Sequence, residues 1–161
     1  MKIRENEISF LVKFFAVFGI AELLIFLLDF SVLQNRIASE VAGFFGLEYF
    51  GNTIFVQGGA FEIVSSCTGI VSISILASII FSLKKPPLRQ KAGIFIAGAA
   101  LLLALNYLRV FLVIFAGKEY GIFAGEVVHI VSWFTTAAFV IGLWYYFTKK
   151  ITGVKDFSGF L

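Results

Sequence analysis

The chain holds one cysteine and one histidine, Cys67 and His129, and each stands at the edge of an apolar run. Cys67 lies in "FEIVSSCTGIVSI", between small hydroxyl residues and a glycine. The thiolate is the reactive form of cysteine, and a helix N-terminus or a nearby cation favours it. The pattern predicts Ser65 or Ser66 as a helix cap, with Cys67 in the first turn, where the helix dipole favours negative charge. The amides of Thr68 and Gly69 are then free to point at an oxyanion. Arg109 sits inside a second apolar run, "NYLRVFLVI", with Asn106 one turn earlier on the same face. Arginine stays protonated, so it can hold an oxyanion, a carbonyl or a carboxylate but cannot act as a base. His129 opens a third run, "GEVVHIVSWF", with Glu126 one turn before it and able to orient its ring. An imidazole within reach of the thiol can take its proton and return it to a leaving group.

Each residue also has a plainer reading. A lone membrane cysteine can be a small apolar filler. His129 can be a hydrogen-bonded packing residue, Glu126 an interfacial one, and Glu22 the partner of another helix. Arg109 is harder to dismiss, because an arginine in a bilayer costs about 2.5–3.5 kcal/mol on insertion scales unless it snorkels to the head groups.

The elements that must position these residues follow from composition. Of 161 residues, 60% are hydrophobic, with a mean hydropathy of +0.97. That is more apolar side chain than a soluble domain can bury. The expectation is one all-α integral membrane domain over residues 1–161. Crossing about 30 Å of hydrocarbon needs about 20 helical residues. Four runs qualify, near residues 8–30, 64–83, 92–115 and 122–147. The net charge of +3 comes from clustered cations. On so apolar a chain it reads as membrane orientation, with membrane lipids as partners and no nucleic acid. A single cysteine excludes an internal disulfide, and no cleavable signal is evident. No metal or other cofactor is expected.

Orientation follows from Lys and Arg near the spans. Lys2 and Arg4 precede the first run, "KKPPLRQK" separates the second and third, and Lys149, Lys150 and Lys155 follow the fourth. The opposite side carries Arg36 and Lys118. The prediction is a multi-pass plasma-membrane protein with both termini cytoplasmic. Pro86 and Pro87 should break the helix between the second and third runs.

Residues 31–62 are too polar to span and are expected outside. Leu33, Ile37, Val41, Phe44 and Phe45 recur at helical spacing, opposite Asn35, Arg36, Ser39 and Glu40, as in a helix lying in the outer interface. "GNTIFVQGGAFEIV" reads as a short β-hairpin feeding the second span. The tail from Ile151 is expected to be loosely ordered. This topology places Cys67 at the outer start of the second span and His129 within two turns of the outer start of the fourth. Arg109 lies about 26 Å along the third from the cytoplasm. Three crossings thus bring Cys67, Arg109 and His129 to one depth near the extracellular face.

With these residues in view, "GNTIFVQGGAFEIVSSCTGI", "NYLRVFLVI" and "GEVVHIVSWF" resemble the archaeosortase/exosortase family of membrane cysteine transpeptidases. The family pattern is an extracellular glycine-containing hairpin entering a Cys-(Ser/Thr)-Gly signature, then an Asn-x-x-Arg helix, then a histidine near the start of the next. The likeness covers roughly Gly51 to Phe134. It implies Cys67 as nucleophile, Arg109 as essential cation and His129 as third member, a position where some relatives carry Arg. Many relatives have more spans, so the chain looks like a minimal core of the fold. The implied substrate is a secreted protein ending in a sorting signal: a short motif, a transmembrane helix and a basic cluster. The implied product is that protein transferred through a thioester on Cys67 to a lipid acceptor. Gly98, Ala99 and Ala100 are small enough to let a substrate helix approach.

Two other readings stay open on the sequence. A small transporter or channel subunit would line a polar pathway with Arg109, Glu126 and His129, although no repeat or broken-helix pair is evident. A structural membrane protein would pair Arg109 with Glu126.

Overall fold

Runs of Leu, Ile, Val, Ala and Phe, punctuated by glycine and proline, produce five helices and a small sheet in the computed structural model, which describes residues 5–153. The helices are α1 Glu5–Leu27, α2 Ser31–Phe45, α3 Ile70–Ser82, α4 Leu88–Tyr120 and α5 Ile122–Thr152. The cationic residues Lys2, Arg4 and Lys155 lie outside the described residues. So does the tail beyond Gly153, while α5 itself continues through Ile151.

Among the described residues three helices are long and apolar enough to cross a membrane: α1, α4 and α5. None of the residues of α1 is buried within the protein. With 33 residues, α4 reaches about 50 Å. The expected second span is corrected. It does not run unbroken from residue 64 to 83, because Gly69 stands at φ 89° and divides it into a 3-10 turn, Ser65–Thr68, and the 13-residue α3. Positive φ is cheap for glycine alone, so the break is written into that residue. At about 20 Å, α3 is shorter than the hydrocarbon.

Chain ends and turns fit the local chemistry. Between α3 and α4 the chain turns through Pro86 and Pro87, with Pro87 as the N-cap of α4. Lys91 is buried, and its Nζ donates to the carbonyl of Leu83, closing the C-terminus of α3. Lys84 Nζ donates to Asn6 Oδ1 at 2.5 Å, tying this loop to the start of α1. At the far end a single residue, Gly121 at φ 91°, joins α4 to α5. The two helices are therefore longer than expected, and Lys118 is helical rather than in a loop.

The expected hairpin is a three-stranded antiparallel sheet in order β1-β2-β3, with β1 Tyr49–Phe50, β2 Thr53–Val56 and β3 Gly59–Glu62. The extra strand follows from Gly51, whose positive φ turns Tyr49 and Phe50 back onto Thr53 and Ile54. The buried stripe of α2 is Ile37, Ala38, Val41 and Ala42. Leu33 and Phe44, expected on that stripe, are exposed, and Phe44 instead meets the ring of Phe111. The two alanines let α2 lie close to β2 and α4.

Packing divides into two cores. The outer one joins α2, the sheet, the 3-10 turn and the upper part of α4 through Val41, Ile54, Ile63, Cys67, Val110 and Ile114. The inner one joins α3, α4 and α5 through Leu76, Ile80, Ile94, Leu102, Val140 and Trp144. The first half of α5, from Phe123 to Phe139, puts no side chain into either and meets the outer one at Gly125, against Phe61.

Candidate active site

The 3-10 turn is held by side chains from two helices. From α2, Gln34 Nε2 donates to Ser65 Oγ at 3.0 Å. From α4, Asn106 Nδ2 donates to the carbonyl of Cys67. One turn on, Arg109 Nη2 donates to the carbonyl of Ser66 at 3.4 Å. The shared face of Asn106 and Arg109 is thus spent on two successive carbonyls beside the thiol. Within the turn, Cys67 N–H donates to Val64 O at 2.8 Å and Thr68 Oγ1 to Ser65 O at 2.7 Å.

Two expectations about this turn are corrected. Neither Ser65 nor Ser66 caps a helix with its side chain, and the N-cap of α3 is Gly69. Cys67 therefore precedes α3 instead of lying in its first turn. The glycine has a second reason beyond φ: a Cβ there would come within 3.2 Å of Asn106 Cβ. Turn geometry and the approach of α4 both select it.

Cys67 is buried, at 6% exposure, and the guanidinium of Arg109 lies beside its sulfur. His129 reaches the same place from α5. A cavity of about 30 Å³ is lined by Cys67, Arg109 and His129 together with Phe61, Glu62, Ile63 and Val110. Arg109 is itself buried, and among the described residues its Nε has no hydrogen-bond partner. Three elements thus meet at one small cavity, which lies within the outer core.

Other candidates fall elsewhere. Glu126 is exposed and, among the described residues, makes no hydrogen bond to His129. Glu22 does partner another helix: Ser74 Oγ donates to its Oε1 at 2.8 Å. Gly98 is occupied by this chain's own helices, since a Cβ there would meet Leu76 of α3 at 2.6 Å and Leu143 of α5 at 3.3 Å. It is not free for a substrate helix. Ala100 is exposed. Among the described residues no three of His, Cys, Asp and Glu gather as metal ligands would.

Phe61 was missed by the sequence reading. Its ring wedges between Gly117 of α4 and Gly125 of α5, where added Cβ atoms would stand 2.6 and 2.5 Å from it. This wedge pins the sheet beside the cavity that Phe61 also lines. Two glycines flanking the α4–α5 turn were the available signal, since small residues let helices admit a neighbour closely.

The model of the family Transmembrane exosortase (Exosortase_EpsH) matches residues 7–146. No curated protein and no solved structure matches the chain.

Proposed function

Because the chain belongs to the transmembrane exosortase family, we propose that Cys67, Arg109 and His129 cleave C-terminal sorting signals by thiol acyl transfer. The coarser statement stands on the family: this is a multi-pass membrane protein with a sortase-like peptidase or transpeptidase activity. The observation that supports the finer reading is the single cavity lined by a thiol, a guanidinium and an imidazole from three separate elements.

In the proposed reaction, His129 takes the proton of Cys67 and the sulfur attacks the carbonyl of the scissile peptide bond. Arg109, with its unpartnered Nε–H, holds the oxyanion that forms. His129 returns the proton to the departing amine as the C–N bond breaks, leaving a thioester. A nucleophile on a lipid then attacks the thioester, the C–S bond breaks and the thiol is restored. Asn106 fixes the backbone from which Cys67 projects. Ser66, Thr68 and Gly69 support the same turn. Glu126 takes no part in this scheme.

The loop "KKPPLRQK" and the pair Lys149 and Lys150 are basic. By the positive-inside rule they support a cytoplasmic location for that end and an extracellular one for the cavity. A sorting signal held by its own basic cluster in the same sense would present its motif at the depth of Cys67. The single-domain reading of residues 1–161 belongs to this proposal too.

The test is co-expression with secreted proteins that end in an apolar segment and a basic cluster. The expected result is a size loss that vanishes in Cys67→Ser while membrane integration is unchanged. A new C-terminus carrying a lipid distinguishes transfer from hydrolysis. Cleavage that persists in Cys67→Ser would sink the thiol mechanism.

A further inference from the structure

We propose that the free edge of β3 takes the sorting signal as an added strand. The backbone of Ala60 and Glu62 then carries the extended segment ahead of the scissile bond towards the Cys67 cavity. What that segment belongs to rests on the function proposed above; that the edge takes a strand is tested without turnover.

The register decides which backbone groups of β3 are free. In an antiparallel pair, residues that exchange both N–H···O bonds alternate with residues that exchange none. Ile63 N–H donates to Asn52 O at 2.8 Å, so Ile63 and Asn52 stand at a bonded position. By the same alternation Phe61 bonds with Ile54 and Gly59 with Val56, while Glu62 opposite Thr53 and Ala60 opposite Phe55 lie between the bonded positions. The other side of β2 agrees: Phe55 N–H donates to Glu48 O at 2.9 Å, so Thr53 and Phe55 bond towards β1. Ala60 and Glu62 therefore turn their N–H and C=O groups away from the sheet. The order β1-β2-β3 leaves that edge without a neighbouring strand. Among the described residues nothing outside the sheet bonds to those groups, and both residues are exposed.

An uncovered edge strand is a template for another chain, and an extended peptide joins it through main-chain bonds. This edge leads into the site, because Phe61, Glu62 and Ile63 line the cavity of Cys67, Arg109 and His129. A strand added to β3 would lie about 4.8 Å from it, so its continuation past Glu62 meets that cavity. The edge is firmly held. Phe61 is wedged against Gly117 and Gly125, and Asn52 Nδ2 donates to Glu62 Oε1 at 3.2 Å and to Ile63 O at 3.1 Å. From β3 the chain passes through the 3-10 turn into α3. A sorting signal runs in the same sense, from the outer side towards its apolar helix, and so pairs parallel to β3. Each residue has one N–H and one C=O, so the two free residues suit a short motif and not a long strand.

The test is disulfide trapping during co-expression. Cys67 is the only cysteine, so the variant Cys67→Ala, Ala60→Cys carries one thiol and lacks the nucleophile. Its partners are secreted proteins that end in an apolar segment and a basic cluster, each given a single cysteine at successive positions ahead of the apolar segment. Side chains of a strand alternate between its faces, and a disulfide needs Cα atoms within about 7 Å. Cross-links are expected at alternate positions and lost at those between. Cross-links at consecutive positions, none at all, or links only between two copies of the enzyme would overturn the proposal. A second arm reads cleavage with Cys67 intact. Proline removes an N–H, which a position facing outward from a sheet edge tolerates. Ala60→Pro should lower cleavage about tenfold, as expected for a lost hydrogen bond. Tyr49→Pro, which removes the outward N–H of the opposite edge, should leave cleavage at the wild-type level. Equal cleavage by the two variants would also overturn the proposal. Alternating cross-links without Cys67-dependent cleavage would end the thiol reading and leave the edge standing; cleavage without alternating cross-links would do the reverse.

Discussion

The two cores of this molecule are built on different rules. The inner one is interdigitated aliphatic packing: Leu76 fills the notch at Gly98, and Ile80, Leu102 and Val140 complete the layer. The outer one holds Cys67 and is fastened by directed contacts. Gln34, Asn106 and Arg109 grip the 3-10 turn, and the ring of Phe61 wedges between two glycines. The inner core fixes how the helices stand; the outer core fixes where one sulfur points. The cavity lies in the outer core and is closed on one side by His129, from the half of α5 whose side chains enter neither core. A site that must admit another molecule needs such an uncovered element, whereas a continuous core would leave no room.

That contrast can be broken by mutation. Phe61→Ala should have the largest effect, since removing a buried ring costs about 3–5 kcal/mol and this half-buried one, wedged between two glycines, also pins the sheet. Thermal midpoint should fall, and alkylation of Cys67 should become faster. Unchanged alkylation would mean that the wedge does not guard the cavity. Leu76→Ala in the inner core should cost about 2–5 kcal/mol but leave turnover per folded molecule as in the wild type. A loss of specific activity there would dissolve the division between the two regions.

Smaller effects sharpen it. Acidification protonates an imidazole and removes the form that can accept a proton from the thiol. Activity should fall as the pH is lowered, since a base must be unprotonated, and a pH profile checks it. A flat profile would reassign His129 to positioning. Glu126→Gln should change neither activity nor the thermal midpoint, because that carboxylate faces outward. A clear loss of either would return Glu126 to the site.

Several features were legible from residue order. The apolar runs fixed α1, α4 and α5 as candidate crossings, because burying that much hydrocarbon has few alternatives. The prolines fixed the break before α4, and the cations marked one end of the bundle. Spacing along the helices was enough to set Cys67, Arg109 and His129 at one depth, since rise per residue is constant. Other features were not legible. Glu126 at one turn from His129 suggested a pair, but spacing on one helix cannot say which face the rest of the fold leaves exposed. Gly98 was small enough for a substrate helix, yet Leu76 and Leu143 had already taken the space.

Local backbone chemistry and one-dimensional distance therefore came from the chain alone: where it is helical, where glycine or proline interrupts it, and how far along each helix a polar group lies. Rotation and approach came from the tertiary structure. It decided that Asn106 and Arg109 turn onto the carbonyls of the 3-10 turn, that Phe61 enters between Gly117 and Gly125, and that α5 keeps one flank open. The reason is that periodicity is a property of one helix, whereas azimuth and contact are set jointly by all the side chains that compete for the same volume.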